Sequence, residues 1–286
     1  MKNKFNELII GSGGVNGLCY IGALEIINEY YPLKNFTYLT GCSVGSLICF
    51  LLNIGYSINA IKNIAFEINF DQFYELKLIN LMNSGGFVDH TKIKNLVISF
   101  ISIKNLQYNI TFKELFNKTG INLTINGVNL SHFKCEYFNY ITSPDMSCLD
   151  AVLISMNIPL LCAPYKYEDK QYIDGAVLDP FPYNYHKNTN KLNLIVYSNN
   201  EKQFIFEHID NNDIQRQNTI LNTFFLIYYN YLKLFYKKNI KNTIYITNNP
   251  VYNFKLCTED KKKLLSNGIK NANRFFKRIF NKNKKH

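Results

Sequence analysis

Phe36-Thr37-Tyr38-Leu39-Thr40-Gly41-Cys42-Ser43-Val44-Gly45-Ser46-Leu47-Ile48 joins a β-branched and aromatic run to an apolar run that continues to Ile54. The G-x-S-x-G spacing between a strand-like and a helix-like segment predicts a sharp strand–turn–helix elbow with Ser43 at its apex. Such a turn strains the serine backbone, and glycines at 41 and 45 let neighbouring backbone pass without a Cβ clash. This reading leaves the Ser43 hydroxyl exposed at a helix N-terminus, where the positive end of the helix dipole faces developing negative charge. Gly and Ser are also common turn residues, so the motif gains meaning from its partners elsewhere in the chain.

Upstream, Gly11-Ser12-Gly13-Gly14-Val15-Asn16-Gly17 follows the apolar run Leu8-Ile9-Ile10 and precedes a helical pattern. A loop of this kind points successive backbone N–H groups at one spot. Its anion could be a nucleotide phosphate or a tetrahedral oxyanion. A dinucleotide fingerprint starting at Gly11 needs glycine where Asn16 stands, and a phosphate-binding loop needs Gly-Lys followed by Ser or Thr, which is missing here. An oxyanion hole needs only N–H donors beside a nucleophile, and Ser43 supplies one.

Downstream lies Asp174-Gly175-Ala176, which taken alone is an ordinary Asp-Gly turn. With the glycine loop and the elbow it completes a pattern that resembles the patatin-like phospholipase family. Gly86-Phe87-Val88-Asp89 is similar to that family's short Gly-Leu-x-Asp segment. The segment Ala151-Val152-Leu153-Ile154-Ser155-Met156-Asn157-Ile158-Pro159 is similar to its Ala-x-x-x-Ser-x-x-Ile-Pro helix, with Pro164 and Pro182 also in place. The resemblance runs in order from Glu7 to Tyr183. It implies a three-layer α/β sandwich around a central, largely parallel sheet. It also implies a lipid acyl hydrolase of the phospholipase A type, acting on phospholipids or related lipid esters.

The residues it designates are Ser43 as nucleophile, Asp174 as base, and Gly13, Gly14 and Val15 as the oxyanion hole, with Gly17, Gly41, Gly45 and Gly175 supporting the turns. A free aspartate, with a pKa near 3.9, is too weak a base for this task. The site must therefore raise it by partial burial among Tyr172, Ile173, Val177 and Leu178. Two departures stand out: Ser12 replaces the first glycine of the family loop, and Asn16 replaces its arginine, removing a permanent charge and a five-donor fork. The backbone donors remain, so activity is expected to survive with altered substrate preference. Ala176 in place of the second glycine of the Asp motif is a variant the family tolerates.

A Ser-Asp-His triad is the competing arrangement, because His186 and His208 follow Asp174 in the order used by α/β-hydrolases. Both lie in polar company and read as solvated loop residues. His90 falls near a helix start, and His132 has no visible partner. No metal-ligand spacing, calcium loop or cofactor motif is present, so neither a metal nor a cofactor is expected.

The chain of 286 residues is 47% hydrophobic and 15% aromatic, enough for one large core. Its seven cysteines are scattered in apolar company, which reads as reduced thiols in an intracellular setting. The polar start, Met1 to Glu7, shows no signal-peptide pattern. Strand-like runs at Glu7–Ile10, Phe36–Thr40, Tyr137–Thr142, Leu192–Tyr197 and Thr243–Thr247 alternate with helical runs at 18–29, 46–54, 58–66, 91–101, 112–116 and 150–156, which itself argues α/β. The aromatic stretch Thr219–Tyr236 reads as a buried or an interfacial helix, interrupted by Asn222, Asn230 and Lys233 and so not a membrane span.

Charge divides the chain into a body, 1–250, and a basic extension, 251–286. Between Lys261 and His286 there are ten Lys/Arg and no acid, whereas residues 1–260 carry 22 basic against 21 acidic side chains. Leu265, Ile269, Ala272, Phe276 and Ile279 recur at helical spacing in that tail. An amphipathic helix docked on the body is the favoured reading, and peripheral contact with an anionic membrane is the alternative. A nucleic-acid partner is not expected from so nearly neutral a body. A lipid- or membrane-binding protein on a hydrolase scaffold is the alternative to an enzyme.

Overall fold

The strands β1 (Glu7–Ile10), β2 (Tyr38–Gly41), β3 (Asn122–Asn129), β4 (Lys134–Phe138), β5 (Tyr165–Tyr167), β6 (Lys170–Asp174), β7 (Lys191–Tyr197) and β8 (Thr243–Thr247) form one sheet. Among the described residues the α-helices are α1 (Gly17–Tyr30), α2 (Val44–Asn53), α3 (Ile58–Glu67), α4 (Thr91–Ile103), α5 (Phe112–Thr119), α6 (Cys148–Ser155) and α7 (Thr258–Asn283). These elements come from a computed structural model, which describes residues 5–73, 80, 86–88, 90–197, 240–247 and 256–283. Asp89, His208 and the stretch Thr219–Tyr236 lie outside the described residues.

The spatial order is β5-β6-β3-β2-β1-β7-β8, with β4 also paired to β3. The β3-β2-β1-β7-β8 part is parallel, and β4, β5 and β6 add antiparallel pairings around β3. The molecule is therefore an α/β protein with a mostly parallel sheet flanked by helices.

Strand alternation assigns the two faces different chemistry. Leu8, Ile10, Leu192, Leu194, Val196, Leu123 and Ile125 turn one face into the main core, which α1, α2 and α6 share. The intervening positions are more polar. Ile9 and Ile195 meet Phe181 in a small second cluster, while Glu7, Thr40, Asn122, Thr124, Asn126 and Asn193 are buried polar residues. Glu7 accepts from the hydroxyls of Thr40 and Thr189, and its burial raises the carboxyl pKa.

Helix boundaries follow local chemistry. Thr111 and Glu114 form a reciprocal capping box at the start of α5, and Gly120 closes that helix at φ 68°. Ser57 and Ser147 cap α3 and α6 through the N–H groups of Ala60 and Leu149, each at 3.2 Å. The strand anticipated at Tyr137–Thr142 instead stops at Phe138. There Asn139 Oδ1 accepts from the N–H groups of Ile141 and Thr142 at 2.9 and 3.1 Å, an Asx turn that ends the ladder.

Helix α7 packs along α1. A Cβ on Gly22 would lie 2.1 Å from Leu265 O, and one on Gly268 would lie 1.9 Å from Cys19 O, so both glycines are needed for this approach. Tyr30 stacks on Phe276 with ring centroids 4.6 Å apart. Lys261, although cationic, is buried, and its Nζ donates to Phe66 O and Ile68 O at 2.8 and 2.6 Å, satisfying carbonyls at the end of α3. Gly268→Val is expected to lose about 1–3 kcal/mol or more in urea unfolding from overpacking. The exposed control Ser266→Val should change stability by only a few tenths of a kcal/mol.

Candidate active site

Strand β3 carries neighbours on both edges. Ile125 pairs with Gly41 and Phe138, and Gly127 pairs with Asp174 and Glu136. Since β4 takes one edge at both positions, β2 and β6 must share the other. Strand β2 runs parallel to β3 and stops at Gly41, while β6 runs antiparallel and stops at Asp174. The two strands arrive from opposite directions at the same stretch of edge, and Ser43 and Asp174 stand where they meet.

Ser43 has φ 54°, the strained left-handed backbone that the elbow demands. Gly41 and Gly45 make the turn possible: a Cβ would lie 2.5 Å from Gly45 O in the first case and 2.3 Å from Ile10 O in the second. Helix α2 begins at Val44, so Ser43 occupies its N-cap. Contrary to the exposed hydroxyl anticipated from sequence, Ser43 is buried. Ser43 Oγ donates to Asp174 Oδ2 at 2.7 Å.

The other Asp174 oxygen, Oδ1, accepts from the Ala176 N–H at 2.8 Å. Burial is the largest influence on this carboxyl and pushes its pKa from 3.8 up to about 7, against the lowering effect of the Ala176 N–H and Ser43 hydroxyl. Asp174 is 1% exposed, a deeper burial than the partial one read from its apolar neighbours. Cys42, beside Ser43, is fully buried, and desolvation raises its thiol pKa well above the ordinary range. It packs rather than reacts.

The glycine loop lies against the elbow. A Cβ on Gly17 would come 2.7 Å from Val44 Cγ2, and the Cys42 N–H donates to Ile10 O at 3.1 Å. The Tyr20 hydroxyl donates to Ser12 O at 2.7 Å and accepts from the Val196 N–H at 3.1 Å, fastening the loop to β7. The N–H groups of Gly11 and Ser12 are used by Leu194 O and Pro180 O. Among the described residues, those of Gly13, Gly14 and Val15 meet no acceptor. Ser12 and Asn16, the two departures in the loop, are both buried, and Ser12 Oγ has no hydrogen-bond partner among the described residues.

Two residues at the end of α6 brace this pair. Ser155 Oγ accepts from the Ser43 N–H at 2.9 Å, and Asn157 O accepts from the Asp174 N–H at 2.8 Å. The Asn157 amide nitrogen also donates to Ala163 O and Tyr172 O, and His90 Nε2 lies 2.6 Å from its Oδ1. Gly175 lies against Asn126, whose Oδ1 would be 2.5 Å from a Cβ there. In the sequence, Ser155 and Asn157 stand out only as parts of a helix pattern. The polar positions in that otherwise apolar run were the available signal.

The histidines fall elsewhere. His186 is not the solvated loop residue anticipated. It is half-buried, 3.1 Å from Thr124 Oγ1 and edge-on to Tyr38 and Tyr185. Burial, with Lys191 adding repulsion, lowers its pKa to about 4, so its 3.9 Å approach to Glu7 is not an ion pair at neutral pH. His132 sits in the β3–β4 turn, where its N–H donates to Asn129 Oδ1. None of the described histidines is hydrogen-bonded to Ser43 or Asp174. Among the described residues no cluster of three or more His, Cys, Asp or Glu is placed to hold a metal ion.

Residues 8–185 match the family model for the patatin-like phospholipase domain. The chain belongs to the patatin-like phospholipase family. A "Probable lipid hydrolase 463L" of Invertebrate iridescent virus 6 is 28% identical over 202 residues, covering 67% of this chain and 68% of that protein. "Uncharacterized protein R571" of Acanthamoeba polyphaga mimivirus is 26% identical over 185 residues, covering 63% of this chain and 61% of that one. The fold is similar to that of VipD from Legionella pneumophila, with TM-score 0.58 at 16% identity over 95% of this chain and 66% of VipD. It is also similar to the type III effector protein ExoU from Pseudomonas aeruginosa, with TM-score 0.53 at 15% identity over 96% of this chain and 53% of ExoU. The chain thus spans less than two thirds of these structural neighbours. Family membership supports a lipid ester hydrolase.

The raised pKa of Asp174 has a direct consequence for this patatin-like domain. Between its unfolded pKa near 4 and its folded pKa of about 7, the folded state holds a proton that the unfolded state has lost. Its contribution to stability therefore falls as pH rises through that window, by about 4 kcal/mol in all. Asp174→Asn is expected to leave stability nearly unchanged at pH 4 and to increase it by up to that amount at pH 8. Denaturant titrations of both proteins across the range measure the difference.

Proposed function

We propose that the chain is a phospholipase A-type acyl hydrolase in which Ser43 and Asp174 act as a catalytic dyad. The observation that carries this reading is the 2.7 Å hydrogen bond from Ser43 Oγ to a buried Asp174 whose pKa is about 7. At that pKa the carboxylate is basic enough to accept a proton and abundant enough near neutrality to begin the reaction.

As Ser43 Oγ attacks the ester carbonyl carbon, its proton passes to Asp174. The carbonyl oxygen becomes an oxyanion held by the N–H groups of Gly13, Gly14 and Val15, assisted by the positive end of α2. The intermediate collapses with cleavage of the ester C–O bond, and Asp174 returns the proton to the departing alcohol. Water then attacks the acyl-Ser43 ester and gives a proton to Asp174. Collapse releases the fatty acid as the proton returns to Ser43. Ser155 and Asn157 hold the two main-chain segments in register throughout. With Asn16 in place of the family's arginine, the oxyanion is left to main-chain donors alone.

Among the described residues no helix is long and apolar enough to cross a membrane. The basic outer face of α7 suits peripheral contact with an anionic bilayer.

Hydrolysis of mixed phospholipid vesicles and of a soluble acyl ester is the test. Ser43→Ala and Asp174→Asn should each abolish fatty-acid release, whereas His186→Ala should retain it. Ser155→Ala should lower kcat by about 10- to 100-fold while KM changes little, since it acts on the nucleophile's position. For the wild type, kcat/KM should rise with pH and level off above about pH 7 as Asp174 ionises. Vesicle binding without hydrolysis in the wild type would replace this reading with that of a non-catalytic lipid-binding protein. Loss of activity in the histidine variant would replace the dyad with a triad.

A further inference from the structure

Helix α7 uses one side for docking and leaves the other strongly cationic. Leu264, Gly268, Ala272 and Phe276 are buried, whereas Lys262, Lys263, Lys270, Arg274, Lys277 and Arg278 are all exposed. At about 100° per residue these six cations fall within an arc of about 160° on the outward side. The only acids on the helix, Glu259 and Asp260, lie in its first turn and are already engaged, with Lys262 at 2.9 Å and Lys263 at 3.9 Å. Among the described residues no carboxylate pairs with Lys270, Arg274, Lys277 or Arg278. Among the described residues, four cations within nine positions thus stand without counter-charges.

Two of them border a cleft. Arg274 and Arg278, one helical turn apart, line a space of about 380 Å³ together with Asn271 and with Thr243, Tyr245 and Thr247 of β8. Among the described residues strand β8 pairs only with β7, and its residues form one wall of this cleft. Among the described residues that line it, none is acidic. Two guanidinium groups at i and i+4 offer planar forks of N–H donors that match the oxygens of a phosphate group better than those of any neutral ligand.

We propose that this cleft binds the phosphomonoester headgroup of an anionic membrane lipid, separately from the catalytic site. A bilayer suits the arrangement better than a soluble phosphate does. Lys270 and Lys277 extend the cationic row beyond the cleft, along about 12 Å of helix, which fits a charged plane rather than one small anion. The site anchors the protein through α7 and leaves the dyad to act independently. It deepens the membrane contact of the preceding reading, but it does not depend on the dyad's being catalytic.

The test uses the full chain carrying Ser43→Ala, so that lipids are not consumed, and measures cosedimentation with phosphatidylcholine vesicles containing phosphatidic acid. A second set contains phosphatidylglycerol at matched surface charge. Binding should favour phosphatidic acid. Arg274→Gln/Arg278→Gln should weaken it about 25-fold, taking about fivefold per cation near an anionic surface. Lys262→Gln/Lys263→Gln removes the same charge from lysines that are already paired and should weaken it far less. Circular dichroism should show both variants folded, since all four side chains are exposed. Equal losses in the two double variants, or no preference for phosphatidic acid, would reduce the site to diffuse charge and overturn the proposal. Tight calorimetric binding of glycerol 3-phosphate without vesicle binding would assign the cleft to a soluble phosphate and overturn it equally. Hydrolysis by the Ser43 enzyme, measured in parallel, separates failure of this site from failure of the dyad.

Discussion

One edge of β3 shared by two strands running in opposite directions is the constraint on which the rest of the site depends. If β2 continued past Gly41, it would occupy the edge that β6 needs, and Asp174 would have no place beside Ser43. The chain therefore has to leave β2 abruptly, which is the role of the Gly41–Gly45 turn and of the positive φ at Ser43. Ser155 and Asn157 then fasten the two arriving segments to the end of one helix through the Ser43 and Asp174 N–H groups. Because both bonds are donated by the main chain of the pair itself, its geometry is set by the fold and not by side-chain rotamers alone.

That geometry carries an energetic cost. A carboxyl group with almost no solvent contact is held beside a hydroxyl and one N–H, and among the described residues no cation offsets its charge. The same desolvation that opposes ionisation gives the carboxylate its basicity. Strain at Ser43 adds a cost of order 1–3 kcal/mol, as such conformations do. The main core, extending through β1, β7, β8 and the packed α1–α7 pair, supplies the compensating stability. Lys261 and the glycine contacts at 22 and 268 show how closely the C-terminal helix is integrated with that core.

Much of this was legible in the sequence, where main-chain chemistry leaves little choice. Gly41 and Gly45 announce backbone contacts that admit no Cβ, and Asp174 followed by Gly175 announces a turn. The strands Glu7–Ile10 and Thr243–Thr247 occupy the bounds read from their apolar runs. Strand β3 was hidden because its polar face is built from Asn122, Thr124 and Asn126 and its other face ends in Asn129, residues whose propensity favours turns over strands, Thr124 excepted. Their burial is a tertiary property. Strands β5 and β6 are too short to show a period. His186 was misread for a related reason: its polar sequence neighbours gave no hint that Thr124, Tyr38 and Tyr185 would enclose it. The mutual support of Ser43 by Ser155 and of Asp174 by Asn157 depends on contacts between distant parts of the chain, which local pattern cannot reveal.

Everything proposed for the site turns on Ser43 being a nucleophile activated by Asp174. Covalent labelling with a fluorophosphonate, followed by peptide mass spectrometry, probes that pairing without any assumption about the lipid. A single adduct is expected on the peptide containing Ser43, formed at a rate that rises with pH towards a plateau above about 7 and abolished by Asp174→Asn. An adduct on another residue, or labelling of Ser43 that proceeds undiminished without the Asp174 carboxylate, would refute the dyad.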